Sequence, residues 1–203
     1  MVFVLILFCL IFSLTFHEYG HGIMAKYFGD RTAEFQGRLT LNPIPHIDPM
    51  GLLMVIMIGF GFARPVPTDP RNYTSRWGIF FVAAAGPMMN LLLAFIAVNL
   101  YGLGLILGWP MFEGQAANIF FVYLANINML LMIFNLIPVG PLDGHYILPY
   151  FLPKRLSIYY QYYNDRYGHW LLLSIIVLSL MGLPIFQNIM VLSQAMLRFI
   201  ILF

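Results

Sequence analysis

Residues 2–28 read VFVLILFCLIFSLTFHEYGHGIMAKYF, an apolar run of helical length that contains two histidines and a glutamate. In a helix, His17 and His21 lie one turn apart on the same face, with Glu18 beside them. Composition alone would produce such an H-E-x-x-H match about 0.002 times in this chain. Ionisable residues are costly at membrane depth, so their presence there indicates a functional site. The alternative is a pair of histidines satisfied by hydrogen bonds in a polar core.

The composition is that of an integral membrane protein. Of the 203 residues, 61% are hydrophobic and only 9% are charged, whereas soluble domains carry about 25% charged residues. We expect one integral membrane domain over residues 1–203. The net charge of +2 gives no indication of nucleic-acid binding, and the single cysteine excludes an intramolecular disulfide. The first apolar run has no basic segment before it, so we expect a retained helix rather than a cleaved signal peptide.

The pattern of apolar segments predicts an all-α polytopic membrane protein. Five to six such segments are separated by stretches rich in glycine and proline; they cover residues 2–28, 50–62, 77–107, 116–137, 170–183 and 185–203. The more polar residues 32–48 alternate in character and contain prolines, which predicts a small re-entrant extended or β region after the first helix. Residues 50–62 are short for a spanning helix, so they either re-enter the membrane or cross it as a short kinked helix.

The sequence also suggests a division within the domain and an orientation. We expect the functional core in about residues 1–150 and a C-terminal helical pair in about residues 170–203. If residues 50–62 dip in and return, every loop-borne lysine and arginine lies on one side of the membrane, as the positive-inside rule favours. The motif at the end of the first helix then lies toward the cytoplasm. We therefore expect a cell-membrane protein, surrounded by the lipid bilayer, with its active site toward the cytoplasmic side.

Asp143 is the best candidate for a third metal ligand. Catalytic zinc usually has three protein ligands and one open position, and His17 and His21 supply two. Asp143 follows an apolar helix that ends on the same predicted side, and the prolines and glycines of residues 135–144 can turn its carboxylate inward. Alone it would be read as a loop residue at a helix end. Beside the histidine motif, a ligand to one Zn²⁺ per chain is the stronger interpretation.

Glu18 is then expected to act as the general base rather than as a ligand. It can take a proton from a zinc-activated water and pass it to the leaving amine. Asn135 can hydrogen-bond the substrate backbone or the oxyanion, or it can serve only to hold helices together.

These motifs resemble those of the site-2 protease family of intramembrane zinc metalloproteases. The matching signatures are residues 17–21, 85–90 and 135–144. Residues 29–33 and 37–49 look like the compact bacterial and archaeal branch, and no stretch resembles the PDZ domain that many relatives carry. The resemblance covers about residues 10–150 and implies zinc held by His17, His21 and Asp143, with Glu18 catalytic. It also implies that the substrate is a membrane protein cleaved in or near a transmembrane segment.

Three further polar residues are candidates for substrate binding or for contacts behind the metal ligands. His46 and Asp48 can bind a second metal or line a water path, or they can simply cap the turn before Pro49. His145 can support the neighbouring ligand Asp143, or it can be an ordinary loop histidine.

A helical substrate must unwind before cleavage, because its backbone is hydrogen-bonded to itself. We predict that residues 35–45 pair with the unwound segment by strand addition, or form a structural hairpin that closes the site. The competing function is a non-proteolytic membrane protein, either a metal-binding scaffold or a transporter with a midplane ion site. Glu18 distinguishes the two classes, because a scaffold needs the ligands but no base between them.

Overall fold

The described part of the chain, residues 2–58 and 61–203 of the computed structural model, consists of helices and turns and contains no β-strand. Three helices are long and apolar enough to cross a membrane: α1 (Val2–Tyr27), α4 (Gly78–Ile106) and α5 (Gln115–Asn135). A fourth span results if α7 (Lys154–Leu180) and α8 (Ile185–Leu197), which meet at a 92° bend, are counted together. The shorter helices are α2 (Thr32–Phe35), α3 (Pro49–Ile58) and α6 (Gly144–Ile147). The chain is an integral membrane protein built from helices, as its composition predicts.

The core lies where α1, α4 and α5 pack together, and small side chains let these helices approach closely. Its buried members include Cys9 of α1, Ala94 and Ala97 of α4, and Ala125 and Met129 of α5. Small residues at helix contacts are typical of membrane proteins, where packing rather than water exclusion drives association. This three-helix contact holds the two histidines of α1 against α4.

A glycine on α1 shows how close that approach is. A Cβ on Gly20 would lie 2.8 Å from the carbonyl oxygen of Ala85 on α4. Any side chain at this position would therefore push the two helices apart.

The prediction of a small β region over residues 32–48 is wrong. Those residues form α2, a 3-10 turn at Ile44–His46 and irregular turns. Side chains satisfy the backbone locally: Thr40 Oγ1 accepts the Asn42 N–H at 3.1 Å, and Asn42 Oδ1 accepts the Ile44 N–H at 3.1 Å. Such local bonds compete with strand pairing. The proposed strand addition to residues 35–45 therefore loses its structural basis.

The short apolar segment after this region is helical over its described part. Helix α3 has 10 residues, which at 1.5 Å per residue gives about 15 Å, half of the bilayer's hydrocarbon thickness of about 30 Å. Residues 59 and 60, which fall within the predicted segment 50–62, lie outside the described residues.

The C-terminal helical pair begins earlier than residue 170, because α7 starts at Lys154. Hydropathy marked only the apolar second half of this helix, whereas its first half is rich in tyrosine and charged residues. That first half packs on the chain after α5: Tyr160 donates its hydroxyl to the carbonyl oxygen of Pro138 at 2.8 Å. Residues 154–169, predicted as a loop, are therefore helical.

Candidate active site

The two histidines of α1 each have one ring nitrogen fixed by a neighbour on α4. His21 Nδ1 lies 2.7 Å from the carbonyl oxygen of Val82, and His17 Nδ1 lies 2.6 Å from Oδ1 of Asn90. Both partners are acceptors, so each Nδ1 carries the hydrogen. The other nitrogen, Nε2, is then unprotonated in both neutral rings and free to bind a cation.

Asp143 reaches the histidines from the turn between α5 and α6. Its carboxylate oxygens lie 3.3 Å from His17 Nε2 and 3.4 Å from His21 Nε2. The chain reaches this point by a tight turn after α5, in which a Cβ on Gly144 would lie 2.6 Å from the carbonyl oxygen of Ile137. The structure thus brings together the three residues that the sequence nominated as ligands.

The chemistry of these donors fits a metal ion. The Nε2 atoms of His17 and His21 are 3.1 Å apart, close to the roughly 3.3 Å expected for two atoms about 2.0 Å from a tetrahedral zinc. Asp143 Oδ2 is buried and has no hydrogen-bond partner among the residues that the structure describes. One ligand atom from each residue lies within 4.8 Å of the others. Two lone pairs and a carboxylate that face each other repel, unless a cation lies between them.

Helix α4 contributes a flat surface next to the imidazoles. A Cβ on Gly86 would lie 2.7 Å from His17 Cε1 and closer still to the His21 ring. Asn90 lies one turn further along the same face. Sequence reasoning used residues 85–90 as part of a resemblance and interpreted Asn90 as a residue that packs helices rather than one that binds substrate. Gly86 and Asn90 are four residues apart and therefore share one face of an apolar helix. This spacing was a signal in the sequence that both residues contact the motif.

Glu18 is held by backbone that follows α3. Its Oε2 atom accepts the backbone N–H of Val66 at 2.8 Å, and Glu18 itself is only 8% exposed. The segment that carries Val66 is held in turn by Arg38, whose guanidinium donates to the carbonyl oxygens of Arg64 and Pro65 at 2.8 and 3.2 Å. The arrangement orients the glutamate next to the histidines without making it part of the ligand triangle.

Arg38 is a buried cation that sequence reasoning missed. Burial lowers the pKa of Arg38, as does the neighbouring Arg64 charge, while the Glu18 carboxylate acts in the opposite direction. An arginine remains protonated despite such shifts. Its contacts join residues 26 and 27 positions apart, and no local pattern in the sequence marks them.

A second anchor, at the end of α1, fixes the other end of the same segment. Asp30 is 1% exposed and accepts hydrogen bonds from the Asp69 N–H at 2.7 Å, the Asn72 side chain at 3.0 Å and the Thr32 N–H at 3.0 Å. Burial opposes its ionisation, but these hydrogen bonds outweigh burial and hold the pKa of Asp30 below its ordinary value. Asp30 and Arg38 together position the chain that passes Glu18.

Two of the other candidate residues have structural partners away from the ligand triangle. Asp48 caps α3, because its Oδ1 accepts the N–H groups of Met50 and Gly51, both at 2.9 Å. Asn135 donates to the carbonyl oxygen of Leu131 one turn back on its own helix, at 3.0 Å.

The two remaining candidate histidines are both buried. His46 has one ring nitrogen 2.8 Å from the carbonyl oxygen of Thr40, and within the described part of the chain the other ring nitrogen has no hydrogen-bond partner. His145 lies between Asn164 and Asp165 of α7, with ring nitrogens 2.6 and 2.9 Å from their side chains. Asn164 also accepts the Gly140 N–H at 3.1 Å. His145 thus connects the Asp143 turn to α7 rather than contacting the ligands.

Comparison with known proteins places this geometry in a family. The chain matches the model of peptidase family M50 over residues 5–109 and 110–178. It is 43% identical over 147 residues to a Bacillus subtilis protein named "Putative zinc metalloprotease YwhC", an alignment that covers 71% of this chain and 67% of that protein. No solved structure is significantly similar to the chain.

More distant relatives have the same description. The chain is 32% identical to two proteins named Rip2, over 152 residues in Mycolicibacterium smegmatis and 162 residues in Mycobacterium tuberculosis. These alignments cover 71% and 75% of this chain. The chain spans less than two thirds of either Rip2 protein, 56% and 60% respectively.

Proposed function

Because the chain belongs to peptidase family M50, we propose that it is an intramembrane zinc metalloprotease that hydrolyses a peptide bond in or near a transmembrane segment of another membrane protein. The observation that carries this proposal is the convergence of His17, His21 and Asp143 beside Glu18, within α1 and after the end of α5, two helices long and apolar enough to span a membrane. We propose one membrane domain over residues 1–203, with its site built from the first 150 residues.

The proposed zinc ligands are His17, His21 and Asp143, with one ion per chain. When bound, zinc would polarise the scissile carbonyl and lower the pKa of a water molecule beside it. The contribution of the protein is to hold three donors with their lone pairs converging. The Nδ1 hydrogen bonds from the two imidazoles fix the ring orientation, which is the usual role of groups behind metal ligands.

Glu18 is the proposed general base. Its Oε2 atom is engaged by the Val66 N–H, so we assign proton transfer to Oε1. There the carboxylate takes a proton from the attacking water and delivers it to the nitrogen of the leaving amine. Burial keeps bulk water away from the carboxylate and strengthens its interactions with the reacting groups.

The membrane placement completes the proposal. Glu18 lies two thirds of the way along α1, and the charge distribution favours the cytoplasmic side for this end of the helix. A substrate helix must lose its own backbone hydrogen bonds before its carbonyl can reach the site. The proposed localisation is the cell membrane, with the lipid bilayer around the apolar helices and a single membrane-protein segment as substrate.

A glutamine at position 18 tests the proposal against a metal scaffold or transporter. Glu18→Gln retains an acceptor for the Val66 N–H but removes the base, so bound zinc should be unchanged while turnover falls about 10²- to 10⁴-fold. The assay uses fluorogenic transmembrane peptides in detergent micelles, with zinc measured on the same samples. Glu113→Gln, at an exposed position, is the matched control and should cleave as the wild type does. Equal turnover by the Glu18→Gln variant would contradict the role of Glu18 as the base, and zinc binding without cleavage by the wild type would favour the scaffold or transporter.

A further inference from the structure

A buried chain of hydrogen bonds connects α5, α4 and the first proposed ligand. Asn128 on α5 accepts a hydrogen bond from Nδ2 of Asn90 on α4 at 2.8 Å, and Asn90 Oδ1 accepts from His17 Nδ1 at 2.6 Å. Both asparagines are 0% exposed, His17 is 5% exposed, and Ser13, which borders them on α1, is 0% exposed. Fully buried amides at membrane depth are costly unless all their polar atoms are satisfied.

The partners of Asn128, at the α5 end of this series of hydrogen bonds, determine which atom of each asparagine donates and which accepts. The Asn128 amide contacts the carbonyl oxygen of Leu124 at 2.8 Å, which only an N–H can do, so its Nδ2 lies there. The same Nδ2 donates to Ser13 Oγ at 2.8 Å, while the Ser13 hydroxyl donates to the carbonyl oxygen of Cys9 at 2.6 Å. Asn128 Oδ1 is therefore the atom that faces Asn90.

Two acceptors fix the orientation of Asn90: its Nδ2 donates to Asn128 Oδ1 at 2.8 Å and to the carbonyl oxygen of Ser13 at 3.3 Å. With Asn128 Oδ1 as its neighbour, Asn90 must present Nδ2 to it and Oδ1 to the imidazole. The acceptor Oδ1 requires a hydrogen on His17 Nδ1, which leaves Nε2 as a lone pair for the metal. A flipped Asn90 would place an N–H against Nδ1 and favour the tautomer with hydrogen on Nε2, which cannot bind zinc.

We propose that Asn128 is a positioning residue that sets the zinc-binding tautomer of His17 through Asn90. This inference rests on the proposed function, because it assigns His17 as a zinc ligand. Simple attachment between helices would be served by either direction of these hydrogen bonds. Metal binding at His17 Nε2 requires this direction, and Asn128 Oδ1 is the nearer of the two acceptors that impose it.

The second histidine needs no such relay. His21 Nδ1 donates directly to the backbone carbonyl of Val82, and a carbonyl cannot reverse its role. The Nδ1 hydrogen of His17 is thus fixed by a side chain and that of His21 by a backbone carbonyl. Loss of Asn128 should therefore affect only the His17 side of the site.

The experiment compares zinc affinity, measured by competition with a chromogenic chelator in detergent, for three variants. Asn128→Leu removes the nearer acceptor of Asn90 Nδ2 and leaves only the longer contact to the Ser13 carbonyl, so zinc binding should weaken about tenfold, the lower end of the range for groups behind metal ligands. Asn128→Asp retains an acceptor and should bind zinc within about threefold of the wild type, although it is the less stable variant. Asn126→Leu is the matched control on the same helix, since Asn126 donates only to the carbonyl of Val122.

The order of the affinities separates positioning from a merely structural role. If Asn128 only supported the fold, zinc affinity would follow thermal stability, and Asn128→Asp would be worse than Asn128→Leu. That order, or wild-type affinity in Asn128→Leu, would overturn the proposal. None of these measurements depends on proteolysis, so a chain that binds zinc but cleaves nothing contradicts only the proposed function.

Discussion

Substitution of Gly86 on α4 by alanine should damage the proposed metal site, because the added methyl group would press against the two histidine rings of α1. The Cβ of Gly86→Ala would lie 2.7 Å from His17 Cε1, whereas carbon atoms in contact prefer about 3.5–4.0 Å. Either α4 or the imidazoles must therefore move by about 1 Å. If α4 moves, overpacking should cost about 1–3 kcal/mol of unfolding free energy. If the imidazoles move, a 1 Å displacement should lower turnover about a hundredfold.

The measurement combines peptide cleavage, zinc affinity and thermal unfolding on the same detergent-solubilised samples. Gly114→Ala is the control, because a Cβ at that glycine meets no atom within 4 Å. We expect Gly86→Ala to lose activity together with either zinc affinity or stability, and Gly114→Ala to lose little of any. If Gly86→Ala kept all three properties within twofold of the wild type, the close packing of α4 against the ligands would be refuted.

Three further changes probe the surroundings of Glu18 and the metal. Arg38→Gln should lower kcat about tenfold to a hundredfold at nearly constant KM, because the Val66 N–H that orients Glu18 loses its support; steady-state kinetics measures this. Asp30→Asn should cost about 1–3 kcal/mol of unfolding free energy at neutral pH, as seen by thermal unfolding across pH. The pKa of folded Asp30 lies below its ordinary value of about 3.9, so its contribution is complete above that pH and is lost as the pH falls through the lower folded pKa. Removal of metal with a chelator should lower the unfolding free energy by about 2.7 kcal/mol relative to protein with zinc at a hundredfold excess over its Kd, measured by the same melts.

Each of these has its own control and contradicting result. Arg155→Gln changes an exposed arginine on α7 and should keep wild-type kinetics. If Arg38→Gln had the same kcat as Arg155→Gln, Arg38 would have no part in orienting Glu18. If the stability of Asp30→Asn fell as steeply with decreasing pH as that of the wild type, another carboxylate would govern stability below pH 4. If the chelator left the melting temperature unchanged, the three converging donors would hold no metal.

The sequence predicted which residues converge, because two of the three proposed ligands lie in one helix turn. The spacing of His17 and His21 needs only helical geometry, and α1 is an apolar run of unmistakable length. Asp143 was a longer inference, from a broken helix end and a predicted side of the membrane. The structure brings its carboxylate within 3.4 Å of the imidazoles.

What the sequence did not predict depends on contacts between distant residues. Arg38 and Val66 act on Glu18 through backbone atoms, which have no signature in side-chain patterns. The alternation in residues 32–48 suggested strands, yet Thr40 and Asn42 bond their own backbone instead. The start of α7 at Lys154 was hidden because hydropathy measures burial in lipid and not helicity.

The turn that carries Asp143 is braced by α7, through Asn164 on Gly140 and Tyr160 on Pro138, whereas the histidines belong to α1. The three converging residues thus come from two parts of the fold, since α1 carries the imidazoles and the turn braced by α7 carries the carboxylate. A relative tilt of α1 and α7 would therefore open or close the gap at Asp143 while the imidazole pair stayed intact.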